Sequence, residues 1–322
     1  MSLKNAVEAI RKNKSFLITA HTNPEGDALG SELAFYLLLR KLGKEAVIVN
    51  EDKALYGYEF LPGINNIKRY KNENQKFNFD CFVTLDSSDL KRTGEVYRLN
   101  RDHKPVLNID HHISNTKFGE VNWVEPGASS CSEMVYRIYK KMKVGIGEDA
   151  ALALYTGILT DTGSFRYSNT SVFTHHAVAE LLKYGIDVPE VYRYAYENIP
   201  FEDIKLLIKI LLKINRSADG KLIWFQVPHN LLKRKKVSFD LAEHLLTFGR
   251  SIKGVRVVAL FKENSGVKNE IRVNLRSQGK VDVNEIASYF GGGGHKAAAG
   301  ITIRGKIDNV RRRVLAKIKE AL

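Results

Sequence analysis

The sequence has only two cysteines, Cys81 and Cys131, in 322 residues. Two cysteines are too few for a disulfide framework or a thiolate metal site, and this scarcity is typical of a cytoplasmic protein. No apolar run reaches the ~20 residues that a membrane-spanning helix needs. Near the N-terminus there is neither the apolar stretch nor the cleavage site of a signal peptide. We therefore expect a globular cytoplasmic protein with no membrane partner.

Internal repeats and low-complexity linkers are also lacking. The contents of apolar residues (44%) and charged residues (27%) are those of a globular protein. Because the chain is too long for one ordinary core, we predict two domains. The formal net charge of +14 favours anionic partners such as nucleic acid or nucleotides. A solvated basic surface explains that charge equally well, so the motifs must decide.

The first half of the chain alternates strand-like and helix-like stretches. Helical patterns cover Ala28–Leu42, 130–143 and 148–159. Four short apolar runs resemble buried parallel strands: Phe16–Ala20, Ala46–Val49, Asp80–Leu85 and Pro105–Ile109. The alternation predicts a doubly wound α/β domain with a parallel sheet, in which ligands bind at the carboxyl ends of the strands.

The second half predicts a helical connector and a smaller mixed α/β domain. The connector spans Val188–Ile214 with breaks at Pro189 and Pro200, and a strictly alternating strand lies further on at Glu270–Arg276. Gly291–His295 reads as a glycine-rich turn whose N–H groups could surround a phosphate, or as a tight connection between helix and strand. We place the first domain at 1–187, the helical linker at 188–215 and the second domain at 216–322.

Four clusters with polar side chains lie in the first domain: His21–Asp27, Leu85–Asp89, Asn108–His112 and Gly157–Ser164. A single aspartate after a strand is more often a turn residue. Several carboxylates and imidazoles directed at one crevice are costly to bury without cations. Imidazole and carboxylate ligands indicate Mn²⁺, Fe²⁺, Co²⁺, Zn²⁺ or Mg²⁺. A pair of such ions suits in-line displacement at phosphorus.

These motifs resemble those of the DHH phosphoesterase superfamily: His21-Thr-Asn-Pro-Glu-Gly-Asp27, Asp86 after a strand, Asp110-His-His112 and Thr160-Asp-Thr-Gly163. Gly291–His295 resembles the hallmark of the associated DHHA1 substrate-binding domain. Length and domain order are similar to those of the nanoRNase/pAp phosphatase group. The resemblance implies two divalent cations, Mn²⁺ first, with Mg²⁺ or Co²⁺ as alternatives. It also implies a homodimer, and no other stable protein partner is evident.

The resemblance also implies roles for individual residues. His21, Glu25 and Asp86 would bind one metal, and Asp86 would bridge to a second one bound by Asp27, His111 and Asp161. Asp110 would orient a histidine, and His112 would face the substrate phosphate. The family usually has Asp at the position of Glu25, so the longer side chain alters the first metal site. In the second domain the substrate-binding residues would be Arg276, Gly292, Gly293, Gly294 and His295.

The implied activity is hydrolysis of very short oligoribonucleotides to nucleoside 5′-monophosphates, with removal of the 3′-phosphate of pAp. A phosphodiesterase for pApA or cyclic-di-AMP is a second hypothesis with the same chemistry. The DHHA1-like segment argues against a third, inorganic pyrophosphatase. A catalytically impaired nucleotide-binding protein is the hypothesis of another class, and Glu25 is its support.

Overall fold

A computed structural model of the chain describes residues 2–54, 56–228, 231, 241–263, 267 and 269–322. Contacts divide the chain into two units, Met1–Asn198 and Ile199–Leu322. The predicted linker 188–215 spans this division, since one of its helices falls in each unit. The domain boundaries given above stay predictions.

In the first unit the described helices are α1 (Leu3–Lys12), α2 (Gly26–Lys41), α3 (Cys131–Met142), α4 (Glu148–Asp161), α5 (Val172–Leu182) and α6 (Val188–Tyr196). The strands are β1 (Ser15–Thr19), β2 (Glu45–Asn50), β3 (Lys68–Arg69), β4 (Cys81–Leu85), β5 (Val106–Asp110) and β6 (Val121–Val124). Short 3₁₀ turns lie at Ile64–Asn66, Leu90–Thr93 and Val96–Leu99.

The strands of the first unit form one parallel sheet in the order β3-β2-β1-β4-β5-β6. Every residue of β1 and β4 is buried, which agrees with their continuous apolar sequences. The predicted doubly wound parallel sheet is thus confirmed. The strand order reverses between β1 and β4, and ligands of such sheets bind in the crevice at that point.

Glycines allow α2, α3 and α4 to pack unusually closely. A methyl group on Gly30 of α2 would lie 2.3 Å from the backbone oxygen of Ala153 in α4. A methyl group on Gly157 of α4 would lie 1.9 Å from Ser132 Oγ of α3. Real side chains cannot approach so closely, so hydrogen is needed at both positions. This packing brings the start of α2 and the start of α3 together.

In the second unit the described helices are α7 (Phe201–Leu211), α8 (Leu241–Arg250), α9 (Val283–Tyr289) and α10 (Ile307–Glu320). The strands are β7 (Asn215–Arg216), β8 (Leu222–Val227), β9 (Val257–Glu263), β10 (Glu270–Ser277), β11 (Gly293–His295) and β12 (Ala298–Arg304). Their order is β11-β12-β10-β9-β8-β7, with β8 and β9 parallel and the other neighbours antiparallel. The predicted mixed sheet is confirmed, and burial alternates along β10 as expected.

The helical connector is two helices, α6 and α7. The predicted break at Pro200 is confirmed, since Pro200 occupies the N-cap of α7, whereas Pro189 lies in the first turn of α6. The predicted glycine-rich turn differs from the structure. The glycine-rich turn is partly a strand, because Gly293–His295 pairs with β12 and the turn falls at Lys296 and Ala297. The glycines serve this hairpin: a methyl group on Gly294, whose φ is +150°, would lie 2.4 Å from the oxygen of Ala298.

No helix in the described ranges combines the length and the apolar content that crossing a membrane requires.

Candidate metal centre

The four polar clusters of the first unit meet at the reversal of strand order. His21 and Asp86 lie just beyond the ends of β1 and β4, and Asp110 is the last residue of β5. Asp27 lies in the first turn of α2, and Asp161 ends α4. The parallel sheet therefore brings together side chains that are far apart in sequence, as the strand-end rule predicts.

The carboxylate of Asp86 lies between two imidazoles. Its Oδ2 is 3.4 Å from His21 Nε2, and its Oδ1 is 3.5 Å from His111 Nε2. The residue has a left-handed backbone (φ +54°), which aspartate adopts more readily than most residues. Its N–H donates to the oxygen of Ile109 at the end of the neighbouring strand. This geometry directs one carboxylate oxygen to each histidine.

His111 faces two further carboxylates. Its Nε2 lies 3.8 Å from Asp27 Oδ2 and 3.7 Å from Asp161 Oδ2. Its Nδ1 lies 3.3 Å from the oxygen of Ala128, and His21 Nδ1 lies 2.8 Å from the oxygen of Thr22. When Nδ1 donates to a carbonyl in this way, Nε2 is the nitrogen that remains for a cation. Both rings therefore present Nε2 toward Asp86.

The start of α3 fixes the carboxylate of Asp27. The N–H of Cys131 donates to Asp27 Oδ2 at 2.7 Å, and the N–H of Ser132 donates to Asp27 Oδ1 at 2.8 Å. The first N–H groups of a helix lack partners within the helix and favour a negative charge. Asp27 thus satisfies two of them while it faces His111.

Burial and neighbouring charges shift the pKa values of this cluster. Burial, with the charge of Asp86 next, raises the pKa of Asp27 to about 7, and burial raises that of Asp161 to about 7. Burial opposes protonation of His111, but the carboxylates of Asp161, Asp86 and Asp27 outweigh it and raise its pKa well above the usual value. The raised pKa values mean that these side chains take up protons when no cation is bound, and divalent cations would neutralise the carboxylates in place of those protons.

The donor set fits hard or borderline divalent cations. Within the described part of the first unit, two groups of three have ligand atoms within 4.8 Å of one another: Asp27–Asp86–His111 and Asp86–Asp110–His112. Asp86 Oδ1 is buried and accepts no hydrogen bond of ordinary geometry from any described residue. Burial raises the pKa of the Cys131 thiol well above its usual value, its Sγ donates to the oxygen of Ile109 at 3.4 Å, and neither group of three includes it. Carboxylate and imidazole without thiolate suit Mn²⁺, Mg²⁺ or Co²⁺.

Asp110 and His112 form a hydrogen-bonded pair beside the cluster. His112 Nδ1 lies 2.7 Å from Asp110 Oδ1, and Asn115 Nδ2 donates to Asp110 Oδ2 at 2.6 Å. Asn169 similarly donates to Asp161 Oδ2, at 3.3 Å. Sequence analysis missed Asn115 and Asn169, because a single asparagine in a loop carries no signal of such a role.

Glu25 lies at the N-cap of α2 and is exposed. Neither of the two groups of three includes Glu25. Burial opposes protonation of His21, but the carboxylate of Asp86, with a smaller contribution from Glu25, raises the pKa of His21. The role of Glu25 as a metal ligand stays a prediction.

The predicted substrate-binding residues belong to the second unit. Arg276 lies on β10, where its Nη2 donates to Glu243 Oε2 at 2.8 Å. His295 ends β11 and is half-buried, as are Gly292, Gly293 and Gly294. A methyl group on Gly292 would lie 2.3 Å from the oxygen of Gly300. The close pairing of β11 with β12 is therefore one physical reason for these glycines.

The doubly wound fold and the carboxylate–imidazole donor set define a metal-dependent enzyme. Residues 15–158 match the model of the DHH family, N-terminal domain, and residues 221–322 match the DHHA1 domain. The bifunctional oligoribonuclease and PAP phosphatase NrnA of Thermus thermophilus is 32% identical over 95% of this chain and 89% of its own length. The protein of the same name from Bacillus subtilis is 28% identical over 92% of each chain.

Among solved structures, an exopolyphosphatase-related protein from Bacteroides fragilis matches with a TM-score of 0.86 and 26% identity. The match covers 99% of this chain and 96% of that one. The chain belongs to the DHH family and carries a DHHA1 domain, and it is a metal-dependent phosphoesterase. The resemblance drawn from the motifs is confirmed.

Proposed function

We propose that this phosphoesterase hydrolyses very short oligoribonucleotides to nucleoside 5′-monophosphates and removes the 3′-phosphate of pAp. The Asp86-centred cluster carries the proposal, because buried carboxylates and imidazoles at a sheet crevice suit metal-assisted phosphoester hydrolysis. The names of the Thermus thermophilus and Bacillus subtilis relatives supply the substrate class.

In this proposal His21, Glu25 and Asp86 bind one cation, and Asp27, Asp86, His111 and Asp161 bind the other. Support for the bridging role comes from Asp86 Oδ2 facing His21 and Oδ1 facing His111. Bound cations would lower the pKa of a water nucleophile and neutralise phosphoryl oxygens. The two backbone hydrogen bonds on Asp27 would keep its carboxylate in place during turnover.

His112 and Asp110 act as a pair. Asp110 accepts a hydrogen bond from His112 Nδ1 and thereby selects the orientation of the ring. The other ring nitrogen then faces the substrate phosphate and stabilises its charge or gives a proton to the leaving oxygen. In the second unit Arg276, His295 and the glycines Gly292, Gly293 and Gly294 bind a terminal phosphate of the substrate.

Mn²⁺ is the metal we propose first, because imidazole and carboxylate ligands accept it readily. We also propose a cytoplasmic location, which the scarcity of cysteine supports, and a homodimer, which the resemblance to the family supports.

The test is hydrolysis with Mn²⁺ of a five-nucleotide RNA, a twenty-four-nucleotide RNA, pAp, pApA, cyclic-di-AMP and pyrophosphate, with the products identified by chromatography. The proposal expects 5′-monophosphates from the short RNA, phosphate from pAp and an intact long RNA. Turnover restricted to pApA or cyclic-di-AMP would replace it with a dinucleotide phosphodiesterase. Nucleotide binding without turnover in any divalent metal would support the impaired binding protein.

A further inference from the structure

Glu243 contacts Arg276, the residue that binds the terminal phosphate of the substrate in the proposed function. It lies in the first turn of α8, and its Oε2 accepts a hydrogen bond from Arg276 Nη2 at 2.8 Å. Its other oxygen, Oε1, accepts one from Thr247 Oγ1 at 3.1 Å, one helical turn further on. The carboxylate is therefore itself oriented, and it transmits that orientation to the guanidinium.

The backbone holds Arg276 as well, since its Nη1 donates to the oxygen of Leu275 at 3.2 Å. An arginine side chain has many rotamers, and fixing it on binding costs conformational entropy. A guanidinium already fixed by Glu243 and the backbone has lost that freedom before the substrate arrives. Such preorganisation improves affinity for a phosphate.

The pair also contributes to folding stability. The side chains of Arg276 and Glu243 are 19% and 27% exposed, and removing one partner of a largely buried ion pair is destabilising. The contact joins α8 to β10 at the residue assigned to the phosphate, so it acts on that residue as well.

We propose that Glu243 is a positioning residue that fixes Arg276 and thereby sets the preference of the enzyme for substrates with a terminal phosphate. The inference rests on the proposed function, because it takes Arg276 as the phosphate-binding residue. A carboxylate beside a phosphate site could instead compete with the substrate. Competition has the opposite sign: removal of Glu243 would then lower the KM.

The experiment compares pApA with ApA, which differ only in the terminal phosphate, for wild type, Glu243→Ala, Glu243→Gln, Arg276→Ala and the double variant. Glu243→Ala should raise the KM for pApA about tenfold, the effect of one lost charge-assisted hydrogen bond, with the KM for ApA and both kcat values changed less than about twofold. Glu243→Gln keeps an acceptor oxygen and should stay within about threefold of wild type. Glu285→Ala, which removes an exposed acid of α9, is the matched control and should behave as wild type.

The double variant separates positioning from a general structural effect. If Glu243 acts through Arg276, adding Glu243→Ala to Arg276→Ala leaves the KM for pApA unchanged. Equal changes for pApA and ApA, a lowered KM in Glu243→Ala, or an additive double variant would overturn the inference. A wild-type enzyme with no preference for pApA would overturn it too. A wild type that hydrolyses neither substrate would instead refute the proposed function, so the two failures are distinguishable.

Discussion

Gly157→Ala should weaken both the fold and metal binding, although alanine is the better helix former. The added methyl group would lie 1.9 Å from Ser132 Oγ and 2.7 Å from Ser132 Cβ. The hydroxyl could rotate away, but the Cβ is fixed by the backbone of α3. The added methyl group would also lie 2.9 Å from Asp27 Oδ1, the oxygen that accepts a hydrogen bond from the Ser132 N–H. The substitution must therefore separate α4 from α3 and displace the Asp27 carboxylate.

Two opposing free energies determine the size of the effect. Alanine in place of glycine within a helix is favourable by about 1 kcal/mol. Overpacking a well-packed core costs about 1–3 kcal/mol and sometimes more. Rotation of the hydroxyl leaves the 2.7 Å contact with Ser132 Cβ and the 2.9 Å contact with Asp27 Oδ1, and two such contacts belong at the upper end of that range. We expect a net loss of about 1–2 kcal/mol in unfolding free energy, and metal affinity lower by about tenfold or more because a ligand oxygen moves.

Denaturant unfolding of the metal-free protein and calorimetric Mn²⁺ titration measure the two effects separately. Gly145→Ala is the matched control, because no heavy atom of a described residue other than its two chain neighbours lies within 4 Å of its added methyl group. The control should unfold at or slightly above the wild-type midpoint and bind metal normally. A Gly157→Ala protein with wild-type stability and wild-type affinity would refute the close packing that positions Asp27.

Three further predictions concern the first unit, and one of them uses Glu32, a buried residue of α2 whose Oε2 accepts a hydrogen bond from Asn50. Asp110→Asn should lower kcat by about tenfold to a hundredfold because a neutral amide replaces the charged carboxylate that accepts the hydrogen bond from His112, while circular dichroism stays unchanged; an unchanged kcat would contradict the pairing. Burial raises the pKa of Glu32 from 4.5 to about 8, so the folded chain keeps a proton that the unfolded chain releases, and this group's contribution to stability falls as pH rises through that window. Glu32→Gln should therefore gain stability relative to wild type as pH rises through the window in metal-free unfolding experiments, and a constant difference would contradict the shift. Mn²⁺ at a hundredfold above its Kd should add about 3 kcal/mol to the unfolding free energy, reversibly with chelator; an unchanged midpoint would exclude a native-state site.

The sequence predicted the middle of the first sheet well, because β1, β2, β4 and β5 are mostly apolar runs. It missed β6, Val121–Val124, which has only four residues, and the short β3, whose residues are both charged. It also missed α5, Val172–Leu182, where Val172 and Phe173 are exposed and blur the helical periodicity. Such elements are determined by packing between segments that are far apart in the chain, and local sequence patterns do not reveal that packing.

The candidate site also contains residues that could be predicted from the sequence and residues that could not. Residues at strand ends, such as Asp86 and His111, could be predicted because the topology of a parallel sheet places them together. The groups that orient other site residues could not be predicted. Asp27 is held by N–H groups of α3, and Arg276 is held by Glu243. Both contacts depend on how helices pack, and nothing in the local sequence marks them.

The most direct test of the central claim is Mn²⁺-dependent hydrolysis of pApA by wild type and by Asp86→Asn, with both proteins verified to be folded. Asp86→Asn keeps the size of the side chain but removes the charge that lies between His21 and His111. We predict that wild type releases 5′-AMP only with a divalent cation and that the variant loses about a thousandfold or more of this rate. Equal rates in the two proteins, or turnover that survives complete removal of metal, would contradict the account.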